Sequence, residues 1–422
     1  MKHSVVKSVV IVAGLLLAGC GSSLSQPANE SVIGGEVVVD LDGKTIKESL
    51  LKANVPGVDE NTTIYGQKAY RITYTTTDEE GNSVNASGYM VVPKGLPEAL
   101  VEAKGYSMVS DDHGTIFANN DAPTVLPQLT NMPSGASIIL TSMAGFVTLE
   151  PDYIGFGESI GHYHPFLLKR SLANATVDFI RAAQAFALEN DIHLNGQLFL
   201  TGYSEGGYAA LATLQKIEQE GLLAEIPVTM TAPMAGPYDM NLTAFGVLSQ
   251  PTLGVPSFMA DVGYAYAKAY GKEVSSVINE PYASKLPALF DGSIDRTKID
   301  PQLTTKTTGT DGLFNPLFVA DFFQNPQNWF REAMVDNSVH LWAPQTAVRF
   351  LHCKSDEVVP YGIAQVAEGT MHAMNASDVA LLPIEDTLGM AGAQIGHAAC
   401  GQLGYGLASH LFAEVRKATI GY

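Results

Sequence analysis

The sequence predicts an α/β protein built on a mostly parallel central sheet. Three observations predict it. From about residue 105 onward, short apolar runs alternate with longer segments of helical period, the pattern of parallel β-α-β units. Most of the apolar runs are followed closely by Gly, Pro or Asp, so loops gather at the carboxyl ends of the strands, where open α/β sheets place their ligands. The chain has 422 residues, 46% of them hydrophobic and 16% charged, enough apolar material for a large core and too much for a disordered chain.

The chain starts with an export signature. Lys2 and Lys7 flank and precede an apolar run, Val9 to Leu17, which ends in Ala18, Gly19 and Cys20. A basic start, a short apolar stretch and small residues before a cut describe a secretory leader, and the run is too short for a stable transmembrane helix. Leu17-Ala18-Gly19-Cys20 also resembles a lipobox, which makes residues 1–19 a lipoprotein signal peptide and Cys20 the lipidated N-terminus. Gly21 is not the Asp that favours inner-membrane retention, so the expected location is the outer membrane. Residues 20–35 are expected to form the lipidated Cys and a flexible polar tether.

Ala69–Thr77 and Ser83–Val92 alternate polar with β-branched or aromatic residues around a turn of Asp78-Glu79-Glu80-Gly81-Asn82, which predicts a β-hairpin. Strands are expected at Gly105–Ser110, Phe146–Leu149, Gln197–Thr201, Val228–Ala232, Ala347–Leu351 and Val379–Pro383. Helices are expected at Ser171–Glu189, Gly206–Gln219, Ile363–Met374 and Cys400–Ala418. One stretch, 240–344, breaks the alternation: it contains helical patterns, notably Ser257–Tyr270 and Pro316–Val335, and no convincing strand. An insertion on the loop side of a sheet can roof a pocket or can be plain helical decoration.

Gly202-Tyr203-Ser204-Glu205-Gly206-Gly207 stands between the apolar strand Leu198-Phe199-Leu200-Thr201 and an Ala-rich helix, the setting that a G-x-S-x-G motif requires. A Ser at such a turn takes a strained backbone conformation, and Gly two residues to either side avoids clashes. Its hydroxyl then projects beside the N–H groups of a helix N-terminus, which favour a developing anion.

Serine needs a base to take its proton, and the base needs a carboxylate to orient it. In this sheet order both should follow the serine, acid first. Of His352, His372, His397 and His410, only His397 sits in a glycine-bearing loop after a strand and before a helix. His352 precedes the acid and is read as packing at a strand end. Asp356, in the loop after Ala347–Leu351, is the acid; Asp239 is the alternative, Asp386 lies too close to the His loop, and Glu357 is read as solvent-facing. Oxyanion donors are worth about 3 kcal/mol each. The backbone N–H of Glu205 is one, and Gly114 lets the loop Asp112-His113-Gly114-Thr115 offer Thr115 N–H as the second.

These pieces resemble the α/β-hydrolases and, within them, the secretory lipase/esterase group. His113-Gly114-Thr115, the run Pro151–Ser159, Gly236-Pro237-Tyr238-Asp239 and Asp356-Glu357-Val358-Val359-Pro360 look like that group's landmarks, in the same order, across nearly everything from residue 70 onward. The resemblance implies a catalytic domain over 36–239 and 345–422, with a helical lid, 240–344, inserted between strands 6 and 7. It implies a Ser204–Asp356–His397 carboxylic-ester hydrolase, working through an acyl-enzyme and needing no metal or other cofactor, on a small-molecule ester or lipid. Phe258, Tyr264, Tyr266, Phe318, Phe322, Phe323, Trp329 and Phe330 suggest an apolar acyl chain, although aromatic residues at helical spacing are more often core. Where the group usually has Gly, this chain has Cys353. Cys353 and Cys400 flank the acid and the base, so they form either a disulfide, given an oxidising compartment, or two buried thiols; a Cα separation above about 7 Å excludes the bridge.

Rival readings are a peptidase of the prolyl-oligopeptidase type, which usually carries a large additional N-terminal domain, and an acyltransferase, in which an alcohol outcompetes water. A non-catalytic anchored binding module is expected to have lost one of the three catalytic residues. Forty-three acidic against twenty-four basic residues, a net charge of −19, disfavour nucleic acid as a partner.

Overall fold

The computed structural model describes residues 32–55 and 57–422, so the expected leader, the lipidation site Cys20 and most of the tether lie outside the described residues. One nine-stranded sheet organises the chain. In sequence order its strands are β1 (Val32–Leu41), β2 (Gly66–Thr77), β3 (Ser83–Lys94), β4 (Tyr106–Asp112), β5 (Val147–Pro151), β6 (Leu194–Tyr203), β7 (Val228–Met234), β8 (Ala347–His352) and β9 (Val379–Pro383). Their spatial order is β1-β2-β3-β5-β4-β6-β7-β8-β9. The first three strands pair antiparallel, β3 meets β5 antiparallel, and every pairing from β5 through β9 is parallel. The fold is the α/β-hydrolase fold, as the sequence predicts.

The main helices are α1 (Lys169–Glu189), α2 (Glu205–Gln219), α3 (Met240–Leu248), α4 (Pro256–Ala269), α5 (Pro316–Gln324), α6 (Trp329–Asp336), α7 (Tyr361–Ala373) and α8 (His397–Thr419). They cover both faces of the sheet. On one face α1 lays Phe179 against Tyr74 and Phe186 against Tyr70. The approach is close: a Cβ on Gly88 of β3 would lie 2.5 Å from the Phe179 ring. On the other face α8 stacks Phe412 on Phe199 of β6, with ring centroids 4.6 Å apart. These two apolar layers form separate buried clusters, as a sheet wound on both sides requires.

One expectation is corrected. Residues 32–35 are not tether: they begin the edge strand β1, which pairs with β2. That strand escapes the alternation test because Val39 is its one buried side chain and Gly34-Gly35 interrupts it. The helical pattern Pro316–Val335 divides into the two helices α5 and α6. Asn325 precedes Pro326 and is extended, as residues before proline prefer to be, and the Asn328 side chain then caps α6 by accepting from Phe330 N–H (2.9 Å) and Arg331 N–H (3.2 Å).

Helices α3 to α6 all fall between β7 and β8, which carry these numbers because β1 adds one strand to the expected count. The insertion shares the sheet's core cluster. Tyr266 of α4 and Tyr208 of α2 both donate to the carbonyl of Leu167, at 2.8 and 3.1 Å, and Tyr208 is also 2.6 Å from the Asn337 carbonyl. Leu167 is a buried non-glycine residue with φ of 54°, and its carbonyl has two donors to hold it there. Among the described residues no helix is long and apolar enough to cross a membrane.

Candidate active site

Ser204 sits where β6 turns into α2, with φ 60° and ψ −119°. The surrounding glycines are required by contact. A Cβ on Gly206 would lie 1.7 Å from the Asp112 carbonyl oxygen, and one on Gly202 would lie 2.4 Å from the Gly206 carbonyl oxygen. The turn is thus wedged against the end of β4, while Ser204 N–H donates to Met234 O of β7 at 2.9 Å. That two-sided support sustains the strain and aims the hydroxyl out of the sheet's carboxyl edge.

The structure brings together three of the residues singled out from sequence. His397 Nε2 is 3.0 Å from Ser204 Oγ, and His397 Nδ1 is 2.7 Å from Asp356 Oδ2. Asp356 leaves β8 in a tight turn in which its Oδ1 accepts from Val358 N–H and Val359 N–H, each at 2.9 Å. Burial alone would push its carboxyl up. Hydrogen bonds from His352 and His397, the His397 charge and the Val359 amide outweigh burial and hold it well below the ordinary carboxylate range. Asp356 therefore stays ionised and fixes His397 with Nδ1 protonated, leaving Nε2 to accept the serine proton.

His397 is the first residue of α8 and not a loop residue, and Gly396 is the cap. Glu357 is exposed, as expected, but it is not idle: its carboxylate accepts the His397 backbone N–H at 2.9 Å, an anion at a helix N-terminus. Tyr203, one residue before the serine, donates its hydroxyl to the His397 carbonyl at 2.5 Å and lies 3.2 Å from Nδ1. Neither contact has a sequence signature, although Tyr203 and Glu357 are immediate neighbours of the residues that do. Cys353 and Cys400 form a disulfide with a Cα separation of 5.9 Å, linking the acid loop to the first turn of α8.

The alternatives are placed elsewhere. Asp239 caps α3 by accepting Leu242 N–H at 2.9 Å, and Asp386 pairs with exposed Lys354. His372 faces the Ala376 carbonyl, and His410 is exposed on α8.

Thr115 and Glu205 line the same cavity as Ser204. Gly114 lets its loop press on the elbow, since a Cβ there would lie 3.0 Å from Tyr203 O. The Glu205 side chain turns away into the protein, where it meets His164 Nε2 at 2.7 Å, both groups buried. Burial opposes charge on His164, but Glu205 outweighs it and raises the imidazole pKa. Beyond Ser204 the cavity has a volume of about 90 Å³ and is walled mainly by apolar side chains, including Phe166, Phe258, Met259, Phe330 and Met334. Of the eight aromatic residues noted in the insertion, Phe258 and Phe330 reach it; Tyr264, Tyr266, Phe318 and Phe322 are core, Trp329 is half-buried and Phe323 is exposed. A second, open cleft over Ser204 and His397 is lined by Asp121, Asp295, Arg296 and Glu357 among others.

No protein-family model and no curated protein matches the sequence. Solved structures do. A Legionella pneumophila protein provisionally described as a hydrolase superposes with a TM-score of 0.80 at 22% identity, covering 92% of this chain and 99% of its own. The rice cell wall degrading esterase LipA from Xanthomonas oryzae gives 0.75 at 25% identity, covering 93% and 98%. Candida antarctica lipase A in its closed state gives 0.57 at 15% identity, covering 88% and 78%. Fold and neighbours define this chain as an α/β hydrolase, and the solved neighbours are described as a hydrolase, an esterase and a lipase.

Proposed function

We propose that the chain is a serine carboxylic-ester hydrolase. The observation that carries this reading is the continuous relay Asp356–His397–Ser204, with spacings of 2.7 and 3.0 Å, opening onto an apolar cavity. Ser204 Oγ attacks the ester carbonyl and gives its proton to His397 Nε2. The N–H groups of Glu205 and Thr115 hold the oxyanion. Collapse expels the alcohol, which takes the proton from His397, and leaves an acyl group on Ser204. Water, activated by the same imidazole, releases the acid. The apolar wall suits an acyl chain, and the open cleft suits the alcohol.

The insertion would act as a lid over this cavity. The leader and Cys20 support export and lipid anchoring at the outer membrane; replacing Cys20 should release the protein from the membrane fraction and abolish its labelling by radioactive palmitate.

A chain-length series of nitrophenyl esters beside aminoacyl amides, with wild type and Ser204→Ala, tests the activity. Ester turnover that disappears in the alanine variant is expected. Amide turnover without ester cleavage would favour a peptidase, and product dominated by transfer to an added alcohol would favour an acyltransferase.

A further inference from the structure

The acid of the relay has a second histidine on it. His352, at the end of β8, has a fully buried side chain, and its Nε2 lies 2.9 Å from the Val359 carbonyl and 3.4 Å from Asp356 Oδ2. A carbonyl only accepts, so Nε2 carries the hydrogen. Nδ1 is also buried and has no hydrogen-bond partner among the described residues.

That N–H is hydrogen-bonded to the Val359 carbonyl, and the nitrogen that carries it lies 3.4 Å from Asp356 Oδ2 in the same turn. Asp356 Oδ1 already takes two backbone N–H groups, from Val358 and Val359, while Oδ2 takes His397 Nδ1–H. Among the described residues, His352 is the side chain besides His397 that reaches Oδ2, and it donates to the Val359 carbonyl, whose own amide is one of the two Oδ1 donors.

We infer that His352 is a positioning residue: one imidazole N–H, shared between Val359 O and Asp356 Oδ2, closes the acid turn and locks the carboxylate in the orientation that His397 needs. Packing of a strand-end histidine does not account for this. A packing role needs the ring's volume, whereas the contacts described use its N–H. The Tyr361 ring lies edge-on to the imidazole, with centroids 5.6 Å apart, and supplies the packing separately. The charged and titratable groups gathered at this turn include Lys354, Asp356, Glu357, Glu385, Asp386 and His397, with the hydroxyls of Tyr203 and Tyr238 near the Asp356 charge.

The inference rests on the Ser–His–Asp reading, and its test separates the two. Two replacements are compared, His352→Gln, whose amide can present a donor near the place of Nε2, and His352→Phe, which keeps the volume and loses the donor. Turnover is measured per active site, counted by covalent titration with a fluorophosphonate. The Phe variant is expected to lose between about 10- and 100-fold in kcat with little change in KM, the scale of a small misplacement of a catalytic group. The Gln variant should recover most of that loss. In an Asp356→Asn background, the His352→Phe change should have little further effect on kcat.

Unchanged per-site kcat in the Phe variant would overturn the role, as would a Gln variant no better than Phe. Should the Phe variant fail to fold, His352→Asn, too short to reach Val359, takes its place with the same expectations. A fully active Ser204→Ala would instead remove the underlying relay.

Discussion

Cys353 and Cys400, with Cα atoms 5.9 Å apart, bridge the acid loop and the first turn of α8, which meet at the relay: Asp356 lies three residues after the first cysteine and His397 three before the second. Both cysteines are fully buried. The bridge therefore constrains the acid and base segments directly, across a sequence separation of 47.

Removing that bridge by Cys353→Ala with Cys400→Ala should cost about 2–5 kcal/mol of stability, the usual range for a native disulfide. The effect on kcat should exceed the effect on KM, because the segments joined carry the relay and not the cavity wall. Thermal unfolding and steady-state kinetics on the double variant check both. An unchanged melting temperature would show that the bridge contributes nothing.

Asp356→Asn should fold normally and lose on the order of 10⁴-fold in kcat, because a neutral amide neither holds the correct imidazole tautomer nor stabilises the imidazolium. Kinetics beside a circular-dichroism spectrum decide it. A loss of under tenfold would shift the acid role to another carboxylate, such as Asp239.

Gly206→Ala should prevent the native elbow from forming, because the new Cβ would meet the Asp112 carbonyl oxygen at 1.7 Å and neither backbone can give way. Gly362→Ala, in the first turn of α7 with nothing within 4 Å of the added carbon, should be neutral or gain up to about 1 kcal/mol. Soluble yield and melting temperature compare them. Equal stability in the two variants would contradict the close packing of the elbow.

How much of this was legible beforehand follows from the physics of each signal. Ser204, Asp356 and His397 all lie where an apolar strand or its loop gives way to a helix, so local pattern locates them and the sheet order ranks them. The edge strand β1 was not legible, since a strand with one buried side chain has no alternation to read. Nor were the contacts of Tyr203, Glu357 and His352, which depend on how loops distant in sequence meet above the sheet. The break at Pro326 was readable in principle: a proline after Asn325 and a capping Asn328 are local signals.

Stability should fall as the pH rises from about 4 to about 8. Burial pushes the carboxyl of Asp261 up to about 8 and that of Asp152 up to about 6, and it also raises Asp111, Asp112 and Glu150. Unfolded carboxyls titrate near pH 4. Between the two values the folded protein holds protons that the unfolded chain has released, so each step up in pH favours unfolding. Asp356, lowered on folding, works the other way and only at the acid end. Melting temperatures from pH 5 to 8.5 should decline, and Asp261→Asn should flatten the decline. A rise over that interval would contradict the burial argument.

Filling the apolar cavity should separate substrates by acyl length. Met259→Trp adds volume to a wall residue beyond Ser204. Acetyl esters should be cleaved nearly as before, while long acyl esters should lose at least about tenfold in kcat/KM, the scale of one methylene's worth of pocket contact. Equal losses across the series would mean that the acyl chain lies elsewhere.

The most direct measurement is intact-protein and peptide mass spectrometry after rapid acid quench of the enzyme reacting with a slowly deacylating ester. A mass increase equal to the acyl group, mapped to the peptide that contains Ser204 and absent from Ser204→Ala, is the expected result. An adduct on another residue, or turnover that continues unchanged in Ser204→Ala, would contradict the central claim.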